Sequence, residues 1–301
     1  MLTKITMGMY FRLRFNSVAY FVCFVIAFLF IGKTNLFAQE KWVIDKHEAA
    51  VGIGGGVGFL FGSVPQNFDR KVKAEFGVDF RYDYYLNRYW TLGIGTKIGK
   101  NNIAYDAKGI AQNGYIDDSK LNIFKYKGES YVEEWEFTNV SIPISIQYII
   151  PGKVDVSIRT GFAYSFAANS KVDIQWRNVS TSLEMQEYYI ELNDPSFMGL
   201  GDFSRLQKSK NVKLANRLSW TIEVGIKREF AFRQSLYLGL YADVGLNNQA
   251  SKFKEKGAML IEYTDNEDQP LHLNSLVEAL GKKVNYNTAS FGLKAMYSFK
   301  W

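Results

Sequence analysis

The end of the chain, residues 286–301, alternates between apolar and polar side chains with a period of two. Its odd positions from Ala289 to Trp301 are apolar throughout, whereas its even positions are mainly hydroxyl-bearing, small or basic residues. A period of two over this length predicts a β-strand with apolar surroundings on one face and a polar environment on the other. Tyr297, Phe299 and Trp301 all lie on the apolar face of this strand.

Earlier segments of the chain show the same alternation. They lie at 50–62, 75–86, 90–99, 139–150, 153–166, 217–227 and 236–246. Each has one continuous apolar face and one face of glycine, hydroxyl-bearing and charged residues, which is typical of antiparallel strands in a sheet with unlike sides. Together with the C-terminal segment they predict eight strands. The charged residues on the polar faces include Asp79, Arg81, Lys97, Asp155, Arg159, Glu223, Lys227, Asp243 and Lys294.

The connections between these strands alternate between short and long. The short connections are turns at Asn87-Arg88, Pro151-Gly152 and Ala231–Arg233, and Pro-Gly is a favoured turn pair. The long connections are predicted as loops at about 63–71, 100–134, 168–212 and 247–285. Short turns at one end and long loops at the other are typical of membrane barrels with periplasmic turns and extracellular loops. An even number of strands then puts both termini on the turn side.

The N-terminus has the composition of a secretory signal peptide. Basic residues precede an apolar run from Val18 to Ile31, which is shorter than the roughly 20 residues of a spanning helix. We therefore predict that residues 1–38 are a cleaved signal peptide and that 39–47 form a short periplasmic segment. A retained membrane anchor is the alternative.

The formal net charge of +6 comes largely from this predicted signal peptide. The segment holds Lys4, Arg12, Arg14 and Lys33 and no acidic residue, so the rest of the chain carries about +2. The basic charge is therefore no indication of nucleic-acid binding. Cys23 lies in the same segment, and the mature chain has no cysteine for a disulfide or a thiolate metal site.

These patterns predict an all-β fold, an eight-stranded antiparallel transmembrane up-and-down β-barrel over residues 48–301, in a bacterial outer membrane. A soluble antiparallel barrel or sandwich is the alternative, and it would place the apolar faces inside. Eight strands enclose an interior that side chains fill, so we expect the interior charges named above to pair and plug the barrel. We expect membrane lipid around it, and expect the barrel assembly machinery to read Tyr297, Phe299 and Trp301 as an insertion signal.

A short motif resembles a known family. The segment Ser141–Tyr148, the Pro-Gly turn and Gly161–Tyr164 are similar to the core of PorT-like outer-membrane β-barrel domain proteins of Bacteroidota. In that family a proline inside a strand, here Pro143, is a recurring feature. The resemblance implies an outer-membrane barrel without catalytic residues, in a family of mostly unknown function with a few members linked to secretion or gliding machinery.

Several residues were candidates for chemistry or binding. His272, with Ser275 and Glu262 nearby in sequence, is the candidate for catalysis, because small barrels that modify lipid A use a histidine with a serine and an acid. His47 precedes the first strand. Asp265, Glu267 and Asp268 form an acidic patch that could bind Ca²⁺ but lacks an EF-type spacing. For each, an ordinary solvated residue is the favoured interpretation, and we expect no enzyme, metal or cofactor.

The predicted loops are rich in aromatic residues. These are Tyr115, Phe124, Tyr126, Tyr131, Trp176, Tyr188, Tyr189, Phe197, Phe203 and Phe253. They could pack a cap on strands that extend beyond the membrane, which we favour, or form a contact surface for protein or glycan. We therefore predict a non-enzymatic barrel that acts through its loops or as a partner in an envelope or secretion-type complex. A small transport barrel is the alternative, and a lipid-modifying enzyme is a third hypothesis.

Overall fold

Thirteen β-strands and one short α-helix form the described part of the chain. The structure, a computed structural model, describes residues 45–61, 65, 67–116, 121–252, 259–264, 269–280 and 286–301. The predicted signal peptide, the acidic patch at 265–268 and Phe253 lie outside these residues. No helix among them is long and apolar enough to cross a membrane. The elements are β1 (His47–Phe61), β2 (Phe68–Lys71), β3 (Lys73–Tyr85), β4 (Trp90–Tyr115), β5 (Asn122–Ile150), β6 (Asp155–Met185), β7 (Ile190–Leu192), β8 (Gly201–Asn211), β9 (Arg217–Ala231), β10 (Gln234–Gly245), β11 (Ile261–Tyr263), β12 (Leu271–Leu273), α1 (Leu276–Leu280) and β13 (Asn287–Lys300).

Eight of these strands close into a ring. Its order is β1, β3, β4, β5, β6, β9, β10 and β13, and β13 pairs back onto β1. All of these pairings are antiparallel, and each ring strand lies beside the next one in the sequence. The predicted eight antiparallel strands are therefore confirmed. The predicted short turns also lie where expected, and the end of the ring that carries them is called the turn end here, the opposite end the distal end.

The two ends of the ring's chain meet at the turn end. His47 and Trp301 exchange two backbone hydrogen bonds, of 3.2 and 2.9 Å between nitrogen and oxygen. From there β1 and β13 pair along their whole length, from Glu48 opposite Lys300 to Phe61 opposite Asn287. The C-terminal segment is thus the strand that closes the ring.

The ring carries its apolar side chains on the outside. Ile53, Ile144 and Leu293 are 67%, 64% and 66% exposed, and they belong to a belt of exposed aliphatic and aromatic residues on all eight strands. The polar faces point inward, where Asp79, Arg159 and three of the other seven predicted interior charges are buried. This arrangement is the opposite of that in a soluble barrel, in which the apolar faces would fill the inside.

The strands extend far beyond the predicted loop boundaries. The predicted loops at 100–134 and 168–212 consist mostly of strand, since β4 continues to Tyr115, β5 begins at Asn122, β6 continues to Met185 and β8 pairs with β6. The outer parts of β4, β5 and β6 (101–115, 122–138 and 168–185) form a sheet with β2, β7 and β8 at the distal end. We call this sheet, with the described parts of 246–286 (246–252, 259–264, 269–280 and 286) packed on it, the cap.

The two faces of a single strand exchange polarity where the ring meets the cap. On β5, the inward side chains of the ring are polar, Ser141, Ser145 and Gln147, and the outward ones are isoleucines. In the cap, the same inward face carries the buried Trp135 and Phe137, while the outward face carries exposed glutamates. A strand that passes from lipid into water must make this exchange. Its apolar side has to face the lipid around the ring, and then the hydrophobic core inside the cap. The loop prediction failed there because it followed the apolar face of the ring.

The cap has a hydrophobic core of its own. Large fully buried side chains of the sheet pack against the described residues of 246–286, which include β11, β12 and α1. The largest are Trp135, Trp176, Tyr105, Tyr131, Tyr286, Phe124 and Phe137. The rings of Tyr131 and Trp176 are in edge contact with centroids 4.7 Å apart, and those of Trp135 and Tyr286 are 5.3 Å apart. Burial of this many aromatic rings supplies the main stabilising contribution to the cap.

A bulge in β6 allows the exchange of faces on that strand. The register with β5 shifts between Glu136 and Thr138, so that β6 has one residue more than β5. Asn169 sits in this bulge with φ of 49°. The extra residue moves the inward positions of β6 from odd numbers such as Arg159 to even numbers such as Trp176, because side chains alternate along a strand.

The left-handed backbone at Asn169 leads to a test. Asn169→Val should lower the free energy of unfolding by about 1–2 kcal/mol, because a β-branched residue is strained at positive φ. Asn169→Gly should stay within about 0.5 kcal/mol of the wild type. Urea unfolding of the folded protein measures both, with Gln207→Val at an exposed β8 position as the control. Equal losses for Asn169→Val and Gln207→Val would contradict the role of the bulge.

Candidate functional site

Arg159 of β6 is the centre of a charge network inside the ring. Its guanidinium donates two parallel hydrogen bonds to the Asp83 carboxylate, with lengths of 2.8 and 2.9 Å. It also donates to Ser145, at 2.8 Å, and to Gln147 on the neighbouring β5. Such a bidentate pair fixes both position and angle of the arginine. Gly93 makes the room, because a Cβ atom there would collide with both Arg159 and Asp83.

The network continues through alternating charges across the ring. Arg81 donates from Nε to Asp83, at 2.9 Å, and from Nη1 to Glu223, at 3.3 Å. Lys294 of the closing strand donates to Glu223, at 3.0 Å, and to Asp79, at 3.2 Å. These contacts join β3, β6, β9 and β13, which lie on different sides of the ring. The interior is therefore bridged by side chains.

Two further ion pairs lie nearer the ends of the ring. Lys227 donates to both oxygens of Glu48, at 2.6 and 2.5 Å, and the Tyr85 hydroxyl donates to the same carboxylate at 2.5 Å. Towards the distal end, Arg217 pairs with Asp243. Both pairs are buried. The interior is thus charge-paired from one end to the other.

Tyr241 of β10 organises the remaining interior charges. The Nζ atom of Lys97 lies 4.5 Å from the centre of its ring, a cation–π contact. The Tyr241 hydroxyl donates to one carboxylate oxygen of Glu75 at 2.8 Å, and the Asn101 side-chain amide donates to the other at 2.7 Å.

Most of the charged residues that the sequence analysis placed on the inner faces take part in these contacts. Of these residues, Asp79, Arg81, Arg159, Glu223, Lys227, Asp243 and Lys294 lie in the ion pairs described above. Lys97 lies inside the ring against an aromatic ring. Asp155 does not join the network, because it lies at the turn end, where its Oδ1 accepts the Gly152 amide at 3.0 Å.

Several interior partners were missed. Asp83, Glu75, Arg217 and Tyr241 lie on the same polar faces as the predicted residues, and the alternation could have identified them. Glu48 was missed because the first strand begins earlier than its glycine-rich pattern indicates.

The charges inside the ring balance. Its acidic residues are Glu48, Glu75, Asp79, Asp83, Glu223 and Asp243, and its basic residues are Arg81, Lys97, Arg159, Arg217, Lys227 and Lys294. The cavity among them has a volume of about 60 Å³. This volume holds on the order of a few water molecules.

The predicted insertion signal lies on the outside of the ring at the turn end. Tyr297, Phe299 and Trp301 are about two-fifths exposed there. The Trp301 ring stacks on the imidazole of His47, with centroids 6.0 Å apart, and on Phe299 at 6.3 Å. These contacts form an aromatic patch like the girdles at membrane interfaces. Recognition by assembly machinery stays a prediction.

In the cap, Glu133 is a fully buried carboxylate that joins the sheet to α1. It accepts hydrogen bonds from the Tyr131 hydroxyl, from the Trp135 indole at 2.5 Å and from the Leu276 amide at 2.7 Å. Burial raises the pKa of the Glu133 carboxyl above its usual range, and these hydrogen bonds oppose the rise. The carboxylate therefore ties β5 to the first residue of α1.

The candidate catalytic residues are not joined in the described contacts. His272 Nδ1 lies 3.1 Å from the Nζ atom of Lys208. The Ser275 hydroxyl donates instead to Glu278, at 3.1 Å, which also pairs with Lys210. Burial and the neighbouring lysines lower the pKa of His272 below its usual range. Glu262 faces His272 in the β11–β12 pair.

The predicted loop aromatics divide into two sets. Phe124, Tyr126, Tyr131 and Trp176 are buried in the cap core, which agrees with the favoured interpretation, and Phe203 packs against it. Tyr115, Tyr188, Tyr189 and Phe197 are exposed on the cap, and for them a contact surface stays a prediction. Among the described residues, no group of three His, Cys, Asp or Glu could hold a metal ion.

The buried Glu133 predicts a pH dependence of the cap. The folded state holds its proton more tightly than the unfolded chain, so the stability that it contributes is present at low pH and is lost as pH rises above the usual carboxyl range. Glu133→Gln should lack this dependence, and Glu136→Gln, an exposed change on the same strand, should keep it. Hydrogen-exchange protection of β5 and α1 against pH measures the slopes. Equal slopes for the wild type and Glu133→Gln would contradict the prediction.

Comparison with solved structures finds several chains that are similar to this one. Neisserial surface protein A is 10% identical, with a TM-score of 0.39, over 84% of this chain and 97% of that chain. OprG from Pseudomonas aeruginosa is 11% identical, with a TM-score of 0.35, over 85% and 97%. The attachment invasion locus protein Ail of Yersinia pestis is 10% identical, with a TM-score of 0.29, over 84% and 99%. No curated protein matches the chain.

Comparison with protein families gives a match over most of the chain. Residues 37–251 match the model of a family described as outer membrane protein beta-barrel domain. The match includes the ring strands from β1 to β10 and the cap strands up to β8. The chain belongs to the outer membrane protein β-barrel domain family.

Proposed function

We propose that this protein is a non-enzymatic integral membrane barrel whose closed ring anchors a rigid cap outside the cell, where the cap contacts an envelope or surface partner. The observation that carries the proposal is the exchange of polarity along β5, from isoleucines facing outward in the ring to glutamates facing outward in the cap. The outward face of β5 therefore suits lipid in the ring part of the strand and water in the cap part.

The ring serves as the anchor. Its outer surface presents a continuous apolar belt, and a belt of this kind is stable when lipid covers it. The aromatic patch around Trp301 then marks the periplasmic interface and both termini lie in the periplasm, after removal of the signal peptide. Outer-membrane lipid is the direct partner, and the barrel assembly machinery inserts the chain.

The ring interior serves as a plug. The ion pairs of Arg159, Arg81 and Lys294 cross it, and the remaining cavity of about 60 Å³ is too small for a solute path. Moving these side chains apart would leave buried charges without partners, which costs several kcal/mol for each broken pair. This favours an anchor over the alternative of a small transport barrel.

The cap serves as the working part. It has its own core and a water-facing sheet, and exposed aromatic residues lie on its distal parts. The PorT-like resemblance fits such a role within an envelope or secretion-type complex. His272 and Ser275 take part in separate contacts, so the geometry does not favour a lipid-modifying enzyme.

The orientation can be tested with single cysteines, because the mature chain has none. Tyr189→Cys in the cap and Phe232→Cys at the turn end are matched, since the native side chains are 96% and 81% exposed. A membrane-impermeant maleimide should label the first in intact cells and the second only after the outer membrane is opened. Labelling of Phe232→Cys in intact cells with protection of Tyr189→Cys would reverse the proposed orientation.

The plug can be tested by electrical recording. Folded wild-type protein in planar bilayers should give no sustained conductance steps, because the interior ion pairs close the ring. A large outer-membrane channel protein recorded in the same bilayers is the positive control. Large steps from protein whose folded state has been verified on the same sample would refute the plug.

A further inference from the structure

A furrow crosses the outer face of the cap sheet at right angles to the strands. Its volume is about 650 Å³, within the usual range of ligand sites of roughly 300–1,000 Å³. One wall is the row Asn113, Lys125 and Ser182, which are cross-strand neighbours on β4, β5 and β6. The other wall is the next outward row, and it includes Lys127 and Ser180.

The floor of the furrow is the row between these walls. Tyr126 and Thr181 belong to it, and both side chains are buried on the inner face of the sheet. The floor is therefore mostly backbone, and at this row β5 pairs on both sides and β6 pairs with β5 and β8. At this row the described pairings give β4 and β8 one neighbour each, but a peptide added to either would run along the strands, at right angles to the furrow. The furrow therefore does not fit a peptide that binds by strand addition.

The walls offer hydrogen-bonding groups of every kind. The hydroxyls of Ser180 and Ser182 donate to Asp202 and Glu191 and can accept a further hydrogen bond, the Asn113 amide donates and accepts, lysine amines donate, and the Asp202 carboxylate accepts. The furrow has no large exposed apolar side chain among the residues that line it. A ligand dense in hydroxyl groups, each both donor and acceptor, satisfies such a surface, whereas an apolar ligand does not.

The charges around the furrow nearly cancel. Lys125 pairs with Glu184 at 2.5 Å and lies 3.8 Å from Glu191, and the Ser180 hydroxyl donates to Asp202 at 2.5 Å. A polyanion such as a nucleic acid or a sulfated glycan needs a clear excess of basic groups. The furrow does not provide one, which favours an uncharged ligand.

An exposed aromatic ring stands at the distal side of the furrow. Tyr115 is two residues beyond Asn113 on the same face of β4, so it lies roughly 7 Å further along the strand, and it is 55% exposed. A tyrosine presents an apolar ring surface and a polar hydroxyl together, and therefore suits the mixed C–H and O–H surface of a sugar. A ligand that extends beyond the furrow on this side would meet the Tyr115 side chain.

We propose that the furrow between the Asn113 and Lys127 rows binds an uncharged oligosaccharide chain, with Tyr115 as a stacking platform at its distal side. This inference rests on the proposed function, because it names the class of ligand that the cap would contact. It assigns binding alone and no reaction.

The test uses the full chain, folded in a detergent without a sugar headgroup, since a maltoside would occupy the site. Maltohexaose, cellohexaose and mannohexaose are titrated by calorimetry beside a sulfated heparin hexasaccharide. Ala111→Trp fills the furrow without removing a side-chain hydrogen bond, and Ser204→Trp places the same bulk on an exposed β8 position outside it. Asn113→Ala is the second variant, and circular dichroism verifies the fold of each.

At least one neutral hexasaccharide should bind, Ala111→Trp and Asn113→Ala should each weaken binding at least about tenfold, and Ser204→Trp should leave it unchanged. The inference is overturned if no neutral sugar binds at millimolar concentration, if the sulfated sugar alone binds, or if folded Ala111→Trp binds like the wild type. Binding in detergent does not depend on orientation or conductance. Failure here therefore leaves the proposed anchor and cap untouched, and reversed cysteine labelling would leave this result standing.

Discussion

Each long strand of this protein has to satisfy two surroundings in turn, and the rest of the structure depends on that constraint. Along the ring, the outward face of β5 is isoleucine and the inward face is serine, asparagine and glutamine. Beyond Thr138 the inward face becomes tryptophan and phenylalanine. The same backbone ladder runs through both parts, since β5 and β6 pair from Ile150 to Asn122. The side chains change because lipid surrounds the ring and water surrounds the cap. The backbone pairing stays the same because every backbone group needs a hydrogen-bond partner in both surroundings.

The polar interior of the ring follows from the apolar exterior. With the apolar faces turned outward, the inside is left mainly to polar residues and a few buried aromatic and aliphatic ones such as Tyr237 and Met296, and in eight strands these must fill the space and satisfy one another. Buried ion pairs contribute little net stability, since desolvation offsets their attraction. Their larger effect is on register. A slip of one residue in β6 would turn Arg159 into the apolar surroundings and separate it from Asp83, so the network favours one pairing of the strands strongly over its neighbours.

The sequence predicts the structure correctly where apolar and polar side chains alternate along a strand and the same face stays apolar throughout. In the ring this condition holds, and the eight strands, the tight turns and charges such as Arg159, Glu223 and Lys294 are where the pattern predicts. In the cap it fails, first where the strands leave the ring. The apolar face of β5 moves inward at Phe137, and the bulge at Asn169 moves the inward positions of β6 by one residue. Neither change is visible to a rule that follows one apolar face, so long strands were predicted as loops.

Contacts between segments that are far apart in the chain could not be predicted from the sequence for a different reason. Glu133 looked like one of several charged residues in a loop, and its hydrogen bond to the Leu276 amide joins positions far apart in the chain. The pairing of Lys208 with His272 is equally non-local. Alternation describes which face a residue occupies, and says nothing about which other segment covers that face.

The distribution of free surface in the described structure then indicates where recognition can occur. The outer face of the ring is apolar and suited to lipid, its inner face is occupied by paired charges, and the inner face of the cap sheet is covered by the segment that Glu133 holds in place. The surfaces that remain are the turn end with Phe232, the outward face of the cap, and the distal edge of the cap with Tyr189. The proposed partner of the cap would contact residues in the sequence between β4 and β8, where the polarity of the strands is adapted to water.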